Sequence, residues 1–415
     1  MNKLETITLK NGLTIYLYKD ARRHSTLFQF NTYCGGMTKH FKLDGKEYHI
    51  QDGVAHILEH YIVECNEKGN FLDELGKRQM ATNASTSYFL TSYYFEAVEN
   101  ISLGIKTILE GVYNTTFETE KLERLKNPIY QEIRGKKDNK FYYANRIRMT
   151  NLFHKIDCKD VGGTLEEVEK TTIDDLKALY QAFYHPSNQF IVVAGNFNKQ
   201  EVVKEIKNFY QSFQIPEHKV EKISLEEKNS VSKKEDILYF PTPMEYLEIN
   251  FKIDISNYTN TELLDLNFYL SSFYKSSFGI TSPLYKKLME EKIILDRISY
   301  SDKIIKNYLI ITIGSYTYDP KKLKEWILEE IKSPSNQKRQ KFELDKKEAI
   351  MQIILREENI FKTIFPLIEN IVYYHYPYLD TVEDVEKLTY EDYKNTIQKI
   401  DFSNYTTLLI KNKEH

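Results

Sequence analysis

Short segments in which hydrophobic and polar residues alternate mark the first part of the chain. Residues 7–10 and 13–17 flank Asn11-Gly12, a dipeptide typical of tight turns, and therefore predict a β-hairpin. Residues 28–33 alternate in the same way and predict a third strand. Residues 85–95, rich in Tyr, Thr and Phe, predict a further strand, so the pattern indicates a mostly antiparallel sheet.

Helical patterns alternate with these strands. Apolar residues recur at helical spacing after Gly53, and helices are also expected over 101–113 and 118–126. Asn127 as an N-cap with Pro128 at the first helical position predicts the start of a separate helix. Strands and helices mixed in this order predict an α+β fold.

One arrangement of helix and strand occurs twice. Thr172 opens a capped helix that leads to an apolar strand at 190–193, and Thr389, 217 residues later, opens a helix that leads to a strand at 405–410. A repeat of this length indicates two homologous domains. Charged residues cluster at 215–235 without apolar periodicity. We therefore predict a first domain over 1–214, a linker over 215–235 and a second domain over 236–415.

The second half begins with predicted strands and continues with a long predicted helix. That helix, at 262–277, carries aromatic residues and no cluster of His and Glu, so the second domain is expected to be metal-free. The remaining predicted elements of this half are strands at 237–240, 246–255 and 309–313 and helices at 321–331 and 342–355.

Composition and charge exclude several classes of protein. Of the 415 residues, 41% are hydrophobic and 28% are charged, which is typical of a globular chain. The formal charge of −3 gives no reason to expect binding to nucleic acid or to an anionic membrane. The chain contains no apolar run long enough to span a bilayer, its first residues show no signal sequence, and its three cysteines have no paired spacing. These features predict a cytoplasmic protein.

Residues 52–60 carry the strongest candidate chemistry. On a helix, His56, Glu59 and His60 lie on one face, because positions i, i+3 and i+4 are neighbours. Two imidazoles at this spacing can hold one Zn²⁺, and the carboxylate can lie beside a water on the metal. Asp52 is the expected N-cap of this helix. The alternatives are a chance match and a structural helix with two hydrogen-bonded histidines.

Two histidines leave a zinc site under-coordinated, so a third ligand is needed from elsewhere. Glu132, early in the helix predicted to begin at Asn127, is the candidate. Glu123 is the nearest rival, and either residue could instead be a surface charge.

Five segments, in this order, resemble the pitrilysin, insulinase and mitochondrial-processing-peptidase family of zinc peptidases with an inverted motif. They read GVAHILEH at 53–60, TNAST at 82–86, QEI at 131–133, FYHPSN at 183–188 and VVAGN at 192–196. The resemblance implies two homologous α/β domains that form half of a clamshell, and a hydrolase that cleaves peptides with one zinc ion per chain.

The resemblance also assigns roles to residues. His56, His60 and Glu132 correspond to the zinc ligands and Glu59 to the general base. Family members bind the peptide as an added strand along a sheet edge, which implies substrate contacts at Asn83 and Ala84. The alternative is a member of the family that binds peptides or supports a partner without catalysis.

One segment of the second half departs from the family pattern. Active members carry an Arg and then a Tyr after a Leu-Tyr-x-x-Leu turn, but here residues 284–288 are followed by Met289, and Asp296 falls near the Tyr position. Arg297 and Tyr300 lie close by and match poorly. We therefore expect a heterodimer in which a homologous subunit supplies the Arg and Tyr and which processes a ribosomally made peptide. An active homodimer is the alternative.

Overall fold

The computed structural model describes residues 4–66, 69–156, 159–334, 337–356 and 358–413. Its elements up to residue 222 are β1 Leu4–Thr8, β2 Thr14–Lys19, β3 Thr26–Thr32, β4 His40–Leu43, β5 Lys46–His49, α1 Val54–Glu64, α2 Phe71–Gly76, β6 Ala81–Thr86, β7 Thr91–Ala97, α3 Ile101–Tyr113, α4 Thr119–Gly135, α5 Lys140–Leu152, α6 Leu165–Lys170, α7 Ile173–Phe183, β8 Gln189–Gly195, α8 Lys199–Ser212 and β9 Val220–Lys222.

The elements that follow are β10 Glu235–Tyr239, β11 Glu245–Asp254, α9 Asn260–Phe278, α10 Pro283–Glu290, β12 Ser299–Ile305, β13 Tyr308–Thr317, α11 Pro320–Lys332, α12 Arg339–Arg356, α13 Ile360–Tyr374, α14 Val382–Lys387, α15 Tyr390–Lys399 and β14 Tyr405–Lys411. None of the helices within the described ranges is both long and apolar enough to cross a bilayer.

The chain divides into two units. The first comprises Met1–Asp138 and Cys158–Leu225, and the second comprises Asn139–Asp157 and Glu226–His415. Each unit has its own hydrophobic core, in which one face of a sheet packs against helices.

The large sheet of the first unit has the strand order β1-β2-β8-β3-β7-β6, and a small sheet of the same unit has the order β5-β4-β9. In the large sheet only the β2–β8 pair is parallel, and the other four pairs are antiparallel. The sheet of the second unit has the order β10-β14-β11-β13-β12, again with one parallel pair, β10–β14. Without β1, the strand order of the large first sheet is the same as that of the second sheet. The predicted α+β fold, with a mostly antiparallel sheet and helices in each of two similar domains, is therefore confirmed.

The predicted hairpin around Asn11-Gly12 is confirmed, since Ile7 pairs with Ile15 and Thr8 with Thr14. The single strand predicted over 85–95 is wrong. The chain instead forms a hairpin of β6 and β7, in which the Ser87 N–H donates to the Leu90 carbonyl at 2.7 Å. As a result β6 lies at the edge of the sheet, paired with β7 alone among the described strands.

The helix start predicted at Asn127 is also wrong. Residues Thr119–Gly135 form one continuous helix, α4, with Pro128 inside it. A proline inside a helix removes one backbone hydrogen bond. Packing offsets that loss here, because Leu122, Leu125, Ile129 and Ile133 repeat at helical spacing and are all buried.

Residues 139–157 fall in the predicted first domain, yet they belong to the second unit. The helix of this segment, α5, packs on the second sheet through Ala144, and the end of the segment is held by Glu227, inside the predicted linker. Its carboxylate accepts the backbone N–H groups of His154, Lys155 and Ile156 at 2.9, 2.8 and 3.1 Å. These bonds fasten the end of the 139–157 segment to the start of the second unit, so the domain boundaries need this correction.

The same carboxylate neutralises a buried lysine. Lys252, on the central strand β11, has a fully buried side chain whose Nζ lies 2.9 Å from Glu227 Oε1. The ammonium also lies over the rings of Phe153 and Tyr308, at 4.6 and 4.5 Å from their centroids. Burial raises the pKa of Glu227, but the backbone N–H groups and Lys252 outweigh burial and lower this pKa to about 2.

Replacing Glu227 by alanine is expected to lower the free energy of unfolding of the second unit by about 3–5 kcal/mol, because Lys252 would be left buried without a counter-charge. The fluorescence of Trp326, the one tryptophan of the sequence, reports urea unfolding of this unit. Glu235→Ala is the control, since its pair with Lys324 is on the surface and should contribute less than about 1 kcal/mol.

The pH dependence gives a second measure of the same variant. A carboxylate whose pKa is lowered in the folded state contributes fully above its unfolded value and loses that contribution as the pH falls through the folded value. The difference between wild type and Glu227→Ala should therefore be constant near neutrality and shrink as the pH falls below 4.5 towards 2. Equal stability of the two proteins at neutral pH would contradict the structural role of this carboxylate.

Candidate metal centre

The helix α1, which carries the His-x-x-Glu-His motif, begins differently from the prediction. Gly53 is the N-cap, in a left-handed conformation with φ of 88°, and Asp52 makes no cap hydrogen bond. The buried Asp52 carboxylate instead accepts the Lys39 ammonium at 2.9 Å and the Lys159 N–H at 3.0 Å. Asp52 therefore joins the start of α1 to the loop that precedes α6.

Packing orients the motif. Ile57, Leu58, Tyr61 and Ile62 are buried in the core of the first unit, which leaves the two histidines on the opposite, partly exposed side of α1. Tyr61 also fixes α1 relative to α4, because its hydroxyl donates to the Thr116 carbonyl at 2.9 Å and accepts the Glu118 N–H at 2.8 Å. These two bonds lie directly before α4 begins.

The structure brings His56, His60 and Glu132 together. The two imidazole rings have centroids 4.7 Å apart, and His56 Nε2 lies 3.6 Å from Glu132 Oε2. One donor atom from each of the three residues can be chosen so that all lie within 4.8 Å of one another. No other group of three or more His, Cys, Asp or Glu within the described ranges meets this criterion.

The rival ligand Glu123 lies on the same helix as Glu132 but outside this group. Its carboxylate accepts the Lys126 ammonium at 2.8 Å, and its side chain is exposed. The helix therefore presents Glu132, and not Glu123, to the two histidines.

The donor set suits Zn²⁺. Two imidazoles and one carboxylate are a ligand combination of catalytic zinc sites, which keep the fourth position open for water or substrate. Ligand bonds of about 2.0–2.2 Å in a tetrahedral arrangement place donor atoms roughly 3.4 Å apart. The observed limit of 4.8 Å requires only a small inward movement of the side chains.

The pKa of each donor side chain is shifted by its surroundings. Burial and the neighbouring His60 lower the pKa of His56 to about 4, so its imidazole is neutral, as a metal ligand must be. The hydrogen bond to Glu64 raises the pKa of His60. Burial raises the pKa of Glu132, but a hydrogen bond from Lys136 and the nearby His56 outweigh it, so the net pKa is lowered.

Glu59 lies beside the three donors but is not one of them. Its side chain is only 6% exposed, and its Oε2 accepts the Thr86 hydroxyl at 2.6 Å. Burial raises its pKa, and the Thr86 bond opposes that shift. The carboxyl group is thus held in a site that favours proton uptake.

Thr86 links this carboxyl group to the edge strand β6. Residues of β6 alternate, with Thr82, Ala84 and Thr86 half-buried and Asn83 exposed. The Ala84 N–H donates a hydrogen bond to the Asn83 side-chain oxygen at 3.0 Å. Both residues expected to contact substrate therefore lie on the free edge, and that edge ends at the residue that holds Glu59.

Three polar residues of the site were missed by the sequence analysis: Glu64, Thr86 and Lys136. His60 Nδ1 lies 3.2 Å from Glu64 Oε1, and the Lys136 ammonium donates to Glu132 Oε1 at 2.8 Å. Each of these two residues is four positions after its ligand on the same helix, and that spacing was the available signal. Thr86 had no such signal, because its partner is distant in the chain.

The residues that depart from the family pattern lie in the second unit. Tyr300, on β12, stacks on Tyr274 with ring centroids 5.1 Å apart, and Arg297 is exposed just before that strand. Met289 is exposed near the end of α10.

Comparison with known sequences gives consistent matches. A family model described as the peptidase M16 inactive domain matches residues 170–351, a stretch that lies after the His56, His60 and Glu132 group. The uncharacterized zinc protease YmfH of Bacillus subtilis is 25% identical over 396 residues, which cover 94% of this chain and 92% of YmfH. The zinc protease PqqE of Helicobacter pylori is 24% identical over 51% of this chain and 47% of PqqE.

Solved structures share the fold. An M16-like peptidase from Alicyclobacillus acidocaldarius superposes with a TM-score of 0.88 at 22% identity, over 99% of this chain and 98% of that chain. Pitrilysin superposes with a TM-score of 0.70 at 17% identity, over 99% of this chain and 45% of the longer pitrilysin chain. The chain is therefore similar to a zinc protease along nearly its whole length, matches the M16 inactive-domain model over 170–351, and shares the fold of an M16-like peptidase and of pitrilysin.

Proposed function

We propose that the protein is a zinc-dependent endopeptidase that cleaves peptides. The observation that carries this proposal is the convergence of His56, His60 and Glu132, with the buried Glu59 beside them. Two helices with a purely structural role have no need to bring three metal donors and a protonatable carboxyl group together. The naming of homologues as zinc proteases supports the same conclusion.

The roles follow from the chemistry of the groups. Zn²⁺ held by the three donors would act as a Lewis acid that polarises a peptide carbonyl and makes a water more acidic. Glu59 takes a proton from the attacking water and later delivers it to the leaving amine. Its raised pKa suits both steps, since a general base works best when its pKa approaches the ambient pH. Thr86 holds one carboxylate oxygen, which fixes the orientation of the other.

The substrate is expected to add to β6 as a further strand. An edge strand offers main-chain groups that bind an extended peptide with little dependence on its sequence. Asn83 and Ala84 occupy that edge, so the bound peptide would run towards Thr86 and Glu59. The substrate class is therefore an unfolded or short peptide, and a ribosomally made precursor is one candidate.

A second candidate is a non-catalytic or incomplete subunit, and one departure favours it. By the family resemblance, an Arg is expected in active members at the position of Met289. The refined proposal is therefore a catalytic subunit that needs a homologous partner to supply the Arg and Tyr, in the cytoplasm. An active homodimer remains the competing assembly.

Zinc retention tests the ligand set. Purified protein should hold about one zinc per chain, and His56→Ala, His60→Ala or Glu132→Gln should each reduce the zinc content measured by atomic absorption, because each removes one donor. Glu123→Gln is the matched control on the same helix and should keep its zinc. Loss of zinc in the control together with full retention in Glu132→Gln would exchange the roles of the two glutamates.

The general base is tested by Glu59→Gln. Because Glu59 is not a ligand, this variant should retain zinc, yet peptide hydrolysis should fall by about 10²–10⁴-fold or more. Zinc content and hydrolysis of a fluorogenic peptide are measured on the same preparation. A parallel loss of zinc and activity would show that Glu59 acts through the metal site's integrity instead.

Assembly is tested by mixing subunits. The chain alone should show little turnover, and addition of a homologue that carries the Arg and Tyr should restore it, since closing the site excludes water and positions the peptide. Activity assays and size-exclusion chromatography are run on each chain and on the mixture. Robust turnover by the chain alone, abolished in Arg297→Ala or Tyr300→Phe, would instead assign the missing pair to this chain.

A further inference from the structure

Two of the three donor side chains have a charged partner on their own helix. His60 Nδ1 lies 3.2 Å from Glu64 Oε1 at the end of α1, and Glu132 Oε1 accepts the ammonium of Lys136, the C-cap of α4, at 2.8 Å. Neither partner is itself in the donor group. The two partners carry opposite charges, and they approach the site from different helices.

We propose that Glu64 and Lys136 are positioning residues that set the zinc affinity in opposite directions. Glu64 strengthens zinc binding and Lys136 weakens it. This inference rests on the proposed zinc site, and it concerns regulation of the affinity of that site.

Glu64 acts through His60. A carboxylate that accepts the Nδ1–H of a histidine fixes the tautomer in which Nε2 is free for the metal, and it holds the ring in place. It also adds a negative charge near the cation. Both effects strengthen zinc binding, and the loss of such a partner typically weakens metal binding by about 10- to 100-fold.

Lys136 acts through Glu132 in two opposing ways. Its hydrogen bond to Oε1 leaves Oε2 directed at His56 Nε2, 3.6 Å away, which favours the ligand geometry. An ion pair this exposed contributes at most about a fivefold effect. The ammonium also repels a divalent cation bound to the same carboxylate, and at roughly 5 Å this repulsion amounts to about tenfold even at the dielectric constant of water. The repulsion is the larger effect, so Lys136 lowers the affinity.

The third donor provides an internal comparison. His56 Nδ1 is buried and has no hydrogen-bond partner among the described residues. A side chain added at Gly162 would lie 3.9 Å from this nitrogen, so the loop before α6 closely covers the ring. The orientation of His56 therefore depends on packing, and among the described residues a side-chain hydrogen bond from a charged partner is seen only at the other two donors.

The test is the zinc dissociation constant, measured by competition with a fluorescent zinc chelator at neutral pH on the full chain. Glu64→Leu should weaken binding by about 10- to 100-fold, and Glu64→Gln should recover part of the loss because an amide oxygen still accepts the N–H. Lys136→Met should tighten binding by about tenfold, and Lys136→Arg, which keeps both the charge and the donor, should resemble wild type.

A matched control and a double variant sharpen the result. Glu166→Leu removes an i,i+4 ion pair with Lys170 on α6, outside the donor group, and should leave the zinc affinity unchanged. Because the His60–Glu64 and Glu132–Lys136 contacts share no residue, the changes in Glu64→Leu/Lys136→Met should largely cancel. Circular dichroism confirms that each variant is folded.

Each outcome decides the proposal. Opposite shifts in Glu64→Leu and Lys136→Met, with the control unchanged, support it. Wild-type affinity in either variant, or shifts in the same direction, would overturn it while leaving the zinc site intact. Wild-type protein that binds no zinc would overturn the proposed function together with this inference.

Discussion

The position of the candidate metal centre depends on one buried carboxylate. Asp52 accepts the Lys39 ammonium and the backbone N–H of Lys159, and both charged side chains are almost fully buried. Such a pair is costly to desolvate unless its hydrogen bonds are satisfied, and removal of one partner leaves an uncompensated buried charge. The geometry is therefore closely constrained, and it joins Lys39 and the distant residue Lys159 to the start of α1. Gly53 then turns into the helix in a conformation that suits glycine.

The two units use the same pair of helices differently. The helices α1 and α4 of the first unit correspond in chain order to α9 and α12 of the second. In the first unit this helix pair brings metal donors together. In the second, the Ser272 hydroxyl donates to Asp345 at 2.7 Å, and Lys275 lies 3.0 Å from Glu348. These four polar side chains of the second unit thus pair with one another, whereas one donor atom each of His56, His60 and Glu132 in the first unit remains available for a cation.

The sequence predicted an element correctly where the interactions that form it lie within a short segment. The Asn11-Gly12 turn, the helix starts at Thr172 and Thr389, and the spacing of His56 and His60 are local, and the structure has the turn, both helix starts and the facing histidines. Features that depend on contacts between distant parts of the chain could not be predicted from the sequence. The turn between β6 and β7 contains no Gly, Pro, Asn or Asp within 87–90, and its one sequence signal is Ser87, whose hydroxyl accepts the Leu90 N–H at 3.1 Å and is a weak turn former. Conversely, Pro128 gave a strong local signal that tertiary burial of α4 overrides.

Spacing alone left Glu132 and Glu123 as rival ligands, and the family resemblance favoured Glu132. The structure places both on one helix, whose rotation brings Glu132 to the histidines. The edge position of β6 has a wider consequence on the proposed function. A strand can be added there only by a chain whose own backbone hydrogen bonds are free, so a folded protein must first unfold locally. Turnover of protein substrates would then follow their conformational stability more than their sequence. Selectivity of this kind would spare the folded proteins around the enzyme and act on short, newly made or damaged chains.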